Sequence, residues 1–467
     1  VGGAAGIAEV DVSTSGVLVL RKAPTTIALL PDRRGLRYLA ASVLALTALV
    51  FVAGHGLDGG QDQYDLRIYF GAVNWWATGH DLYGYGVADP VMGLLGFTYP
   101  PFAAVLMSPM GALGWRTVQV VTVVAIAVAG LAVVHLCLGE RFHLPRARWW
   151  PAIAASTVAA FLLQPWRQTL GMGQINLFLA LLVLADVFLL ERRGSRWTGV
   201  GIGIAMAIKL VPGIFLIYLA MTRQWRAIGV AFCTCAAAWL LGAIVAPAAS
   251  WEYFTSLVWD TGRVGIPASP ANQSLYGLLS RMVAPGQSSL GTLAIVALPV
   301  AVLALRRLRH AVAVGDALAA VTITGLLGVL LCPVSWIHHC VWVFPALVII
   351  GHRCTLIVRA GVGRGHLDFK RLAWPAGLLF SGLLVLVPDV RAVFNLPFTN
   401  LVALSPPQVV TSSLPMLWML VAALALPLLP AAQSVSGRSA SSSEESLATD
   451  ALVTSGSRSQ PSTSAVC

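Results

Sequence analysis

Apolar runs long enough to cross a bilayer recur along this chain from residue 38 to residue 430, separated by short loops rich in arginine. A membrane-spanning helix needs about 20 predominantly apolar residues, and the chain supplies that length again and again. The pattern predicts an all-α polytopic membrane protein. Strands of a membrane β-barrel alternate apolar and polar residues and do not give continuous apolar runs. Composition agrees: 57% of the 467 residues are hydrophobic and only 10% are charged, against about a quarter charged in soluble proteins.

Full spans are expected near 38–54, 117–138, 150–165, 174–190, 227–246, 289–305, 311–330, 339–356, 372–388 and 411–430. Residues 99–113 and 198–221 do not fit that alternation. Pro100, Pro101 and Pro212 remove backbone donors there, so each reads as a broken or re-entrant element. Together these give roughly 11–13 membrane helices. The domain reading is a cytoplasmic segment 1–37, a transmembrane catalytic domain 38–430 and a disordered cytoplasmic tail 431–467, rich in Ser and Gly. The first thirty residues lack a cleavable leader pattern, and the first span is expected to stay as an anchor.

The net charge of +11 does not signal nucleic acid. Its arginines cluster in short loops, at Arg141, Arg146 and Arg148, at Arg192, Arg193 and Arg196, and at Arg306, Arg307 and Arg309. That is the positive-inside pattern, with anionic lipid as the partner. The seven cysteines show no zinc or disulfide spacing. With the basic clusters inside, the stretches 55–98, 166–173, 247–288, 331–338 and 389–410 fall outside.

Those outer stretches carry the candidate residues. Asp65 follows Tyr64 in QDQYDLRIYF, with Arg67 and Tyr69 beside it. A carboxylate at a cavity mouth can take the proton of an attacking hydroxyl; as an alternative, it pairs with Arg67 or caps a helix. His338 and His339 sit in CPVSWIHHC at the edge of a span, where imidazole can relay protons or meet a phosphate. Adjacent helical residues point apart, so one of the two is expected to reach a substrate. Lys209, one of three lysines, either meets a phosphate or a buried acid, or snorkels to headgroups. Arg67, Arg167 and Arg263 offer planar forks to phosphate oxygens. Gln174 with Asn176, and Asn272 with Gln273, stand at helix starts, where amides bind sugar hydroxyls or cap and pack helices. No spacing demands a metal, and metal dependence is left open; nothing in the sequence speaks to oligomeric state.

The segments YDLRIYFGAVNWWATGHDLYGY, FTYPPFAAVLMSP, GQINLFLALL, IKLVPGIFLIYL, NQSLYG and CPVSWIHHCVW, in this order, resemble the polyprenol-phosphate-mannose-dependent mannosyltransferases of glycosyltransferase family 87, which have the GT-C fold. The resemblance implies a polyprenyl-phosphate mannose donor, inversion at the sugar and an active site on the extracytoplasmic face of the cell membrane. It implies Asp65 as the base and His338 or His339 as its helper or the stabiliser of the leaving phosphate. Arg67 or Arg263 would neutralise that phosphate. Tyr69, Tyr99, Gln174, Asn176, Lys209, Arg167, Asn272, Gln273 and Trp336 join the substrate-binding set. The expected acceptor is phosphatidyl-myo-inositol tetramannoside, with branching of lipomannan or lipoarabinomannan as the alternative. A lipid or solute transporter is the rival from another class; it predicts internal repeats, and none is evident.

Overall fold

A computed structural model describes residues 63–429, apart from 90–91, 261, 284–289, 395 and 397–403, together with 35–38 and 41. The expected first span, most of the N-terminal segment and the tail from 431 lie outside the described residues. The described residues up to Leu428 belong to one compact unit.

The protein is all-α and multi-pass. Among the described residues five helices are long and apolar enough to cross a membrane: Trp115–Arg141, Trp225–Val245, Gly291–Ala313, Val343–Val362 and Phe369–Leu386. Two bent pairs bring the number to seven. Of the ten expected spans, 38–54 lies almost wholly outside the described residues, five match these long helices, and 150–165 is the 17-residue helix Arg146–Leu162. The expected spans 174–190 and 411–430 are halves of bent pairs, with bends of 115° between Gln164–Met172 and Asn176–Arg193 and 56° between Pro406–Ser412 and Leu414–Ala425. The helix Ala317–Leu331 is too short to cross alone, and its buried residues run unbroken from Leu318 to Leu330. A helix apolar on all sides belongs at the centre of a bundle. Trp225–Val245 is the opposite case: Phe232, Leu240 and Ile244 stay exposed and form an apolar face suited to acyl chains.

Small residues allow the closest packing. A Cβ on Gly203 would lie 2.5 Å from the carbonyl oxygen of Ala231, and one on Gly201 would lie 2.5 Å from that of Leu182. Helix Val200–Ile208 therefore sits backbone to backbone against its neighbours, as small residues permit in membranes. Its first turn is closed by Asp186, whose carboxylate accepts from the amides of Gly199 and Ile202 at 2.7 and 2.9 Å. A buried ion pair joins Arg141 to Asp316, and Asp316 also caps helix Ala317–Leu331 through the Ala319 amide.

Both segments expected to break do so. Residues 99–113 become a short helix Pro101–Met107 and a 3-10 turn Ser108–Ala112. Residues 198–221 become helices Val200–Ile208 and Phe215–Met221, with extended backbone at Lys209 between them. A two-stranded hairpin, Gly86–Asp89 paired with Gly93–Gly96, covers one side of the resulting hollow.

Candidate active site

Two helix breaks and one loop face each other across a cavity of about 540 Å³. The first break follows helix Gln164–Met172, which ends on Gly173 in the left-handed region at φ 70°. A Cβ there would lie 2.5 Å from Leu66 Cβ. Glycine thus meets two demands at once: it permits the turn and lets this helix end press against helix Tyr64–Ala77 beside Asp65. A main-chain bond from the Gln63 amide to the Gly171 carbonyl at 3.0 Å fixes the same contact. The second break exposes Lys209, and the loop is 332–339.

Asp65, Tyr69, Tyr99 and Gln174 line the cavity, as do Lys209, Trp336, His338 and His339. Gln174 is the hub. Its Nε2 donates to Asp65 Oδ2 at 2.6 Å and to the Tyr69 hydroxyl at 2.8 Å, while its Oε1 accepts from Tyr99 at 3.2 Å and from Asn176 Nδ2 at 3.3 Å. Lys209 Nζ donates to Asn176 Oδ1 at 3.1 Å and approaches His339 Nε2 at 2.9 Å, with the Tyr99 ring 5.4 Å away. Lys209 thus faces the carboxylate's cavity rather than reaching out to headgroups.

The two histidines part company here. His339 accepts from Lys209, and since an ammonium only donates, its Nε2 is the bare nitrogen. His338 is buried, its ring edge-on to His339 at 4.7 Å between centroids, and among the described residues neither of its nitrogens has a hydrogen-bond partner. Burial, then the charge of Lys209, pushes both imidazoles well below the usual histidine range, so both are neutral at pH 7. Burial likewise pushes the Asp65 carboxyl up to about 6, opposed by the Gln174 hydrogen bond and the Lys209 charge. A neutral, unpaired imidazole across from a carboxylate of raised pKa is equipped to move or share a proton at a bound polar group.

The other candidates are placed elsewhere. Arg67 is exposed and lies over the Trp115 ring at 5.8 Å. Arg167 donates to the carbonyls of Leu162 and Val387. Arg263 donates to the Phe97 carbonyl and stacks on Tyr83 and Tyr253, the latter a cavity residue. Asn272 gives Nδ2 to the carbonyls of Pro267 and Pro333, and its Oδ1 accepts the Ser335 amide at 2.9 Å. Gln273 donates to the carbonyls of Pro270 and Ser412. The Asn272 side chain and the Gln273 main-chain N–H, which donates to the Ser335 carbonyl at 2.7 Å, hold the histidine loop from outside the cavity. Asp89, Gln168 and Tyr253 line it without having been singled out by sequence; Asp89 and Tyr253 belong to polar, aromatic stretches that carried a signal. Among the described residues no group of three or more His, Cys, Asp and Glu side chains is arranged to hold a metal ion.

The profile of glycosyltransferase family 87 matches residues 97–333. The "Polyprenol-phosphate-mannose-dependent alpha-(1-2)-phosphatidylinositol mannoside mannosyltransferase" of Mycobacterium tuberculosis is 33% identical over 321 residues, 66% of this chain and 75% of that one. The corresponding "pentamannoside mannosyltransferase" of Mycolicibacterium smegmatis is 31% identical over 356 residues, 73% of this chain and 82% of its own length. A structure of ArnT from Cupriavidus metallidurans bound to undecaprenyl phosphate aligns over 83% of this chain and 76% of that one, at 16% identity and a TM-score of 0.36, too distant a likeness to carry an argument. The cavity and its polar lining therefore belong to a membrane-embedded glycosyltransferase. The chain is a member of glycosyltransferase family 87.

Proposed function

We propose that this enzyme transfers mannose from polyprenyl-phosphate mannose to phosphatidyl-myo-inositol tetramannoside, forming an α-1,2 linkage with inversion on the extracytoplasmic face. The observation that carries the reading is the convergence of Asp65 and an unpaired His338 on one cavity. Relatives named for this donor and for phosphatidylinositol mannosides supply the substrate class.

In this reading an acceptor hydroxyl attacks the anomeric carbon while Asp65 takes its proton. The bond from that carbon to the phosphate oxygen breaks, and its electron pair leaves with the polyprenyl phosphate. His338 donates one N–H to a phosphate oxygen as charge builds there, and Lys209 adds positive potential from the same wall. Phosphate leaves without protonation, so no general acid and no covalent enzyme intermediate is needed. Asp65 returns its proton to solvent when product departs.

The test is direct. Purified protein in lipid nanodiscs is given polyprenyl-phosphate mannose and the tetramannoside, and the product linkage is read by mass spectrometry and NMR. Transfer through an α-1,2 bond is the expected result. Transfer only to linear α-1,6-mannan would move the acceptor to lipomannan, and transfer to neither would overturn the proposal.

A further inference from the structure

Lys209, Asn176, Gln174 and Asp65 form a line of hydrogen bonds with a single direction. An ammonium group only donates, so Lys209 sets the Asn176 amide with its oxygen toward the lysine. That leaves Asn176 Nδ2 facing Gln174 Oε1. Gln174 Nε2 is then the end that meets Asp65 Oδ2 and the Tyr69 hydroxyl. A carboxylate only accepts, so the line closes without a mismatch. Turning either amide over would set donor against donor and acceptor against acceptor. The charges at the two ends thus orient both amides between them.

The same lysine reaches His339 Nε2, which leaves that ring's proton on Nδ1. Two of the three ammonium hydrogens are directed at protein side chains, and the Tyr99 ring lies beside the group. This is a lysine held by the site rather than one reaching into it.

We infer that Lys209 is a positioning residue for the proposed transfer: through Asn176 and Gln174 it orients the amide that holds Asp65, and through Nε2 it fixes the tautomer of His339. The inference takes its catalytic meaning from the function proposed above, yet its first test does not depend on turnover. The titratable groups around Asp65 are Tyr64, Arg67 and Tyr69 on its own helix, Tyr83 and Asp89 beside the hairpin, Tyr99, Lys209, Tyr253, Cys332 and the two histidines. Helix Gln164–Met172 adds Arg167, which is turned to the Leu162 and Val387 carbonyls. Among the described residues lining the cavity, Lys209 is the one lysine or arginine, so it is the charge whose removal Asp65 should register.

Infrared difference titration of the full-length protein, with Asp65→Asn as the blank, reads the carboxylate itself. Lys209→Met is expected to raise its midpoint by about one unit or more, the usual effect of losing a nearby opposite charge. Lys209→Arg should restore most of it, and Asn176→Leu should raise it with the lysine still present. In turnover, the acid limb of kcat/KM should move by the same amount while KM for the donor stays within about twofold. An unmoved midpoint in Lys209→Met and Asn176→Leu, both as thermally stable as wild type, would overturn the inference. A large rise in donor KM with the acid limb in place would do the same, making Lys209 a phosphate ligand. If wild-type protein transfers no mannose, the proposed function fails while the infrared titration still decides this role.

Discussion

Gln174 and Asn176 bond to other side chains around an open cavity, whereas Asn272 and Gln273 bond to main-chain carbonyls and amides in a closed latch. Both pairs are buried. The first pair stands at a helix break that lines the hollow, and its partners are ionisable or phenolic. In the second pair Asn272 ties the loop 333–335 to the segment 269–274, Gln273 ties that segment to Ser412 and Met416, and Arg281 seals it by donating to the Ser269 and Asn272 carbonyls. Amides facing side chains can shift charge and accommodate a substrate. Amides facing main chain can only hold a loop where it is. The cavity pair should therefore govern chemistry and the latch pair stability.

The largest expected effect tests the cavity side of that contrast. Asp65→Asn should lower mannose transfer by about 1000-fold or more, with melting temperature and gel-filtration profile unchanged; near-normal turnover would remove Asp65 from the mechanism. Next comes His338→Ala, expected to lower kcat by about 100-fold through loss of a donor to the leaving phosphate. A stronger loss in His339→Ala than in His338→Ala would reverse the division of labour drawn here.

The pH profile sharpens the same point. A base must be ionised, and the Asp65 carboxyl is raised to about 6. Activity should hold above that value and fall tenfold per unit below it. A profile flat down to pH 4 would contradict a base in this environment. The smallest catalytic effect belongs to the latch. Asn272→Ala should leave donor KM near wild type but destabilise the fold by about 1–3 kcal/mol, because it strands the Ser335 amide. Gln174→Leu should show the converse, a fall in kcat with a smaller loss of stability. Identical phenotypes for the two would erase the contrast.

How much of this was legible beforehand differs by residue. Asp65 and the histidine pair stood out because the positive-inside pattern put a carboxylate and two imidazoles on the same outer face. Of the two helix breaks at the cavity, the one at Lys209 was readable from Pro212 and from a lysine inside an apolar run, whereas the one at Gly173 fell where unbroken spans were expected. What was not readable is direction. Gln174 and Asn272 each precede an apolar helix, and only the 115° bend after Met172 turns the first one inward. Arginines near Asp65 in sequence suggested phosphate clamps, yet Arg67 is two residues further along a helix and so faces away from the carboxylate's side. Hydropathy does not separate the short buried helix Ala317–Leu331 from a full span for a related reason: it registers apolar length, and a short helix wrapped in protein is as apolar as one that crosses lipid.

The cavity is also assembled from distant parts of the chain. Asp65, Gln174 and Lys209 come from its first half, and the histidines from loop 332–339. Synthesis runs from the N-terminus, and early segments enter the bilayer while later ones are still being made. A nascent chain halted before Cys332 would hold the carboxylate and its lysine but no imidazole. Under the proposed mechanism, the site is then complete only once the segment 332–339 has been made and has joined the earlier wall.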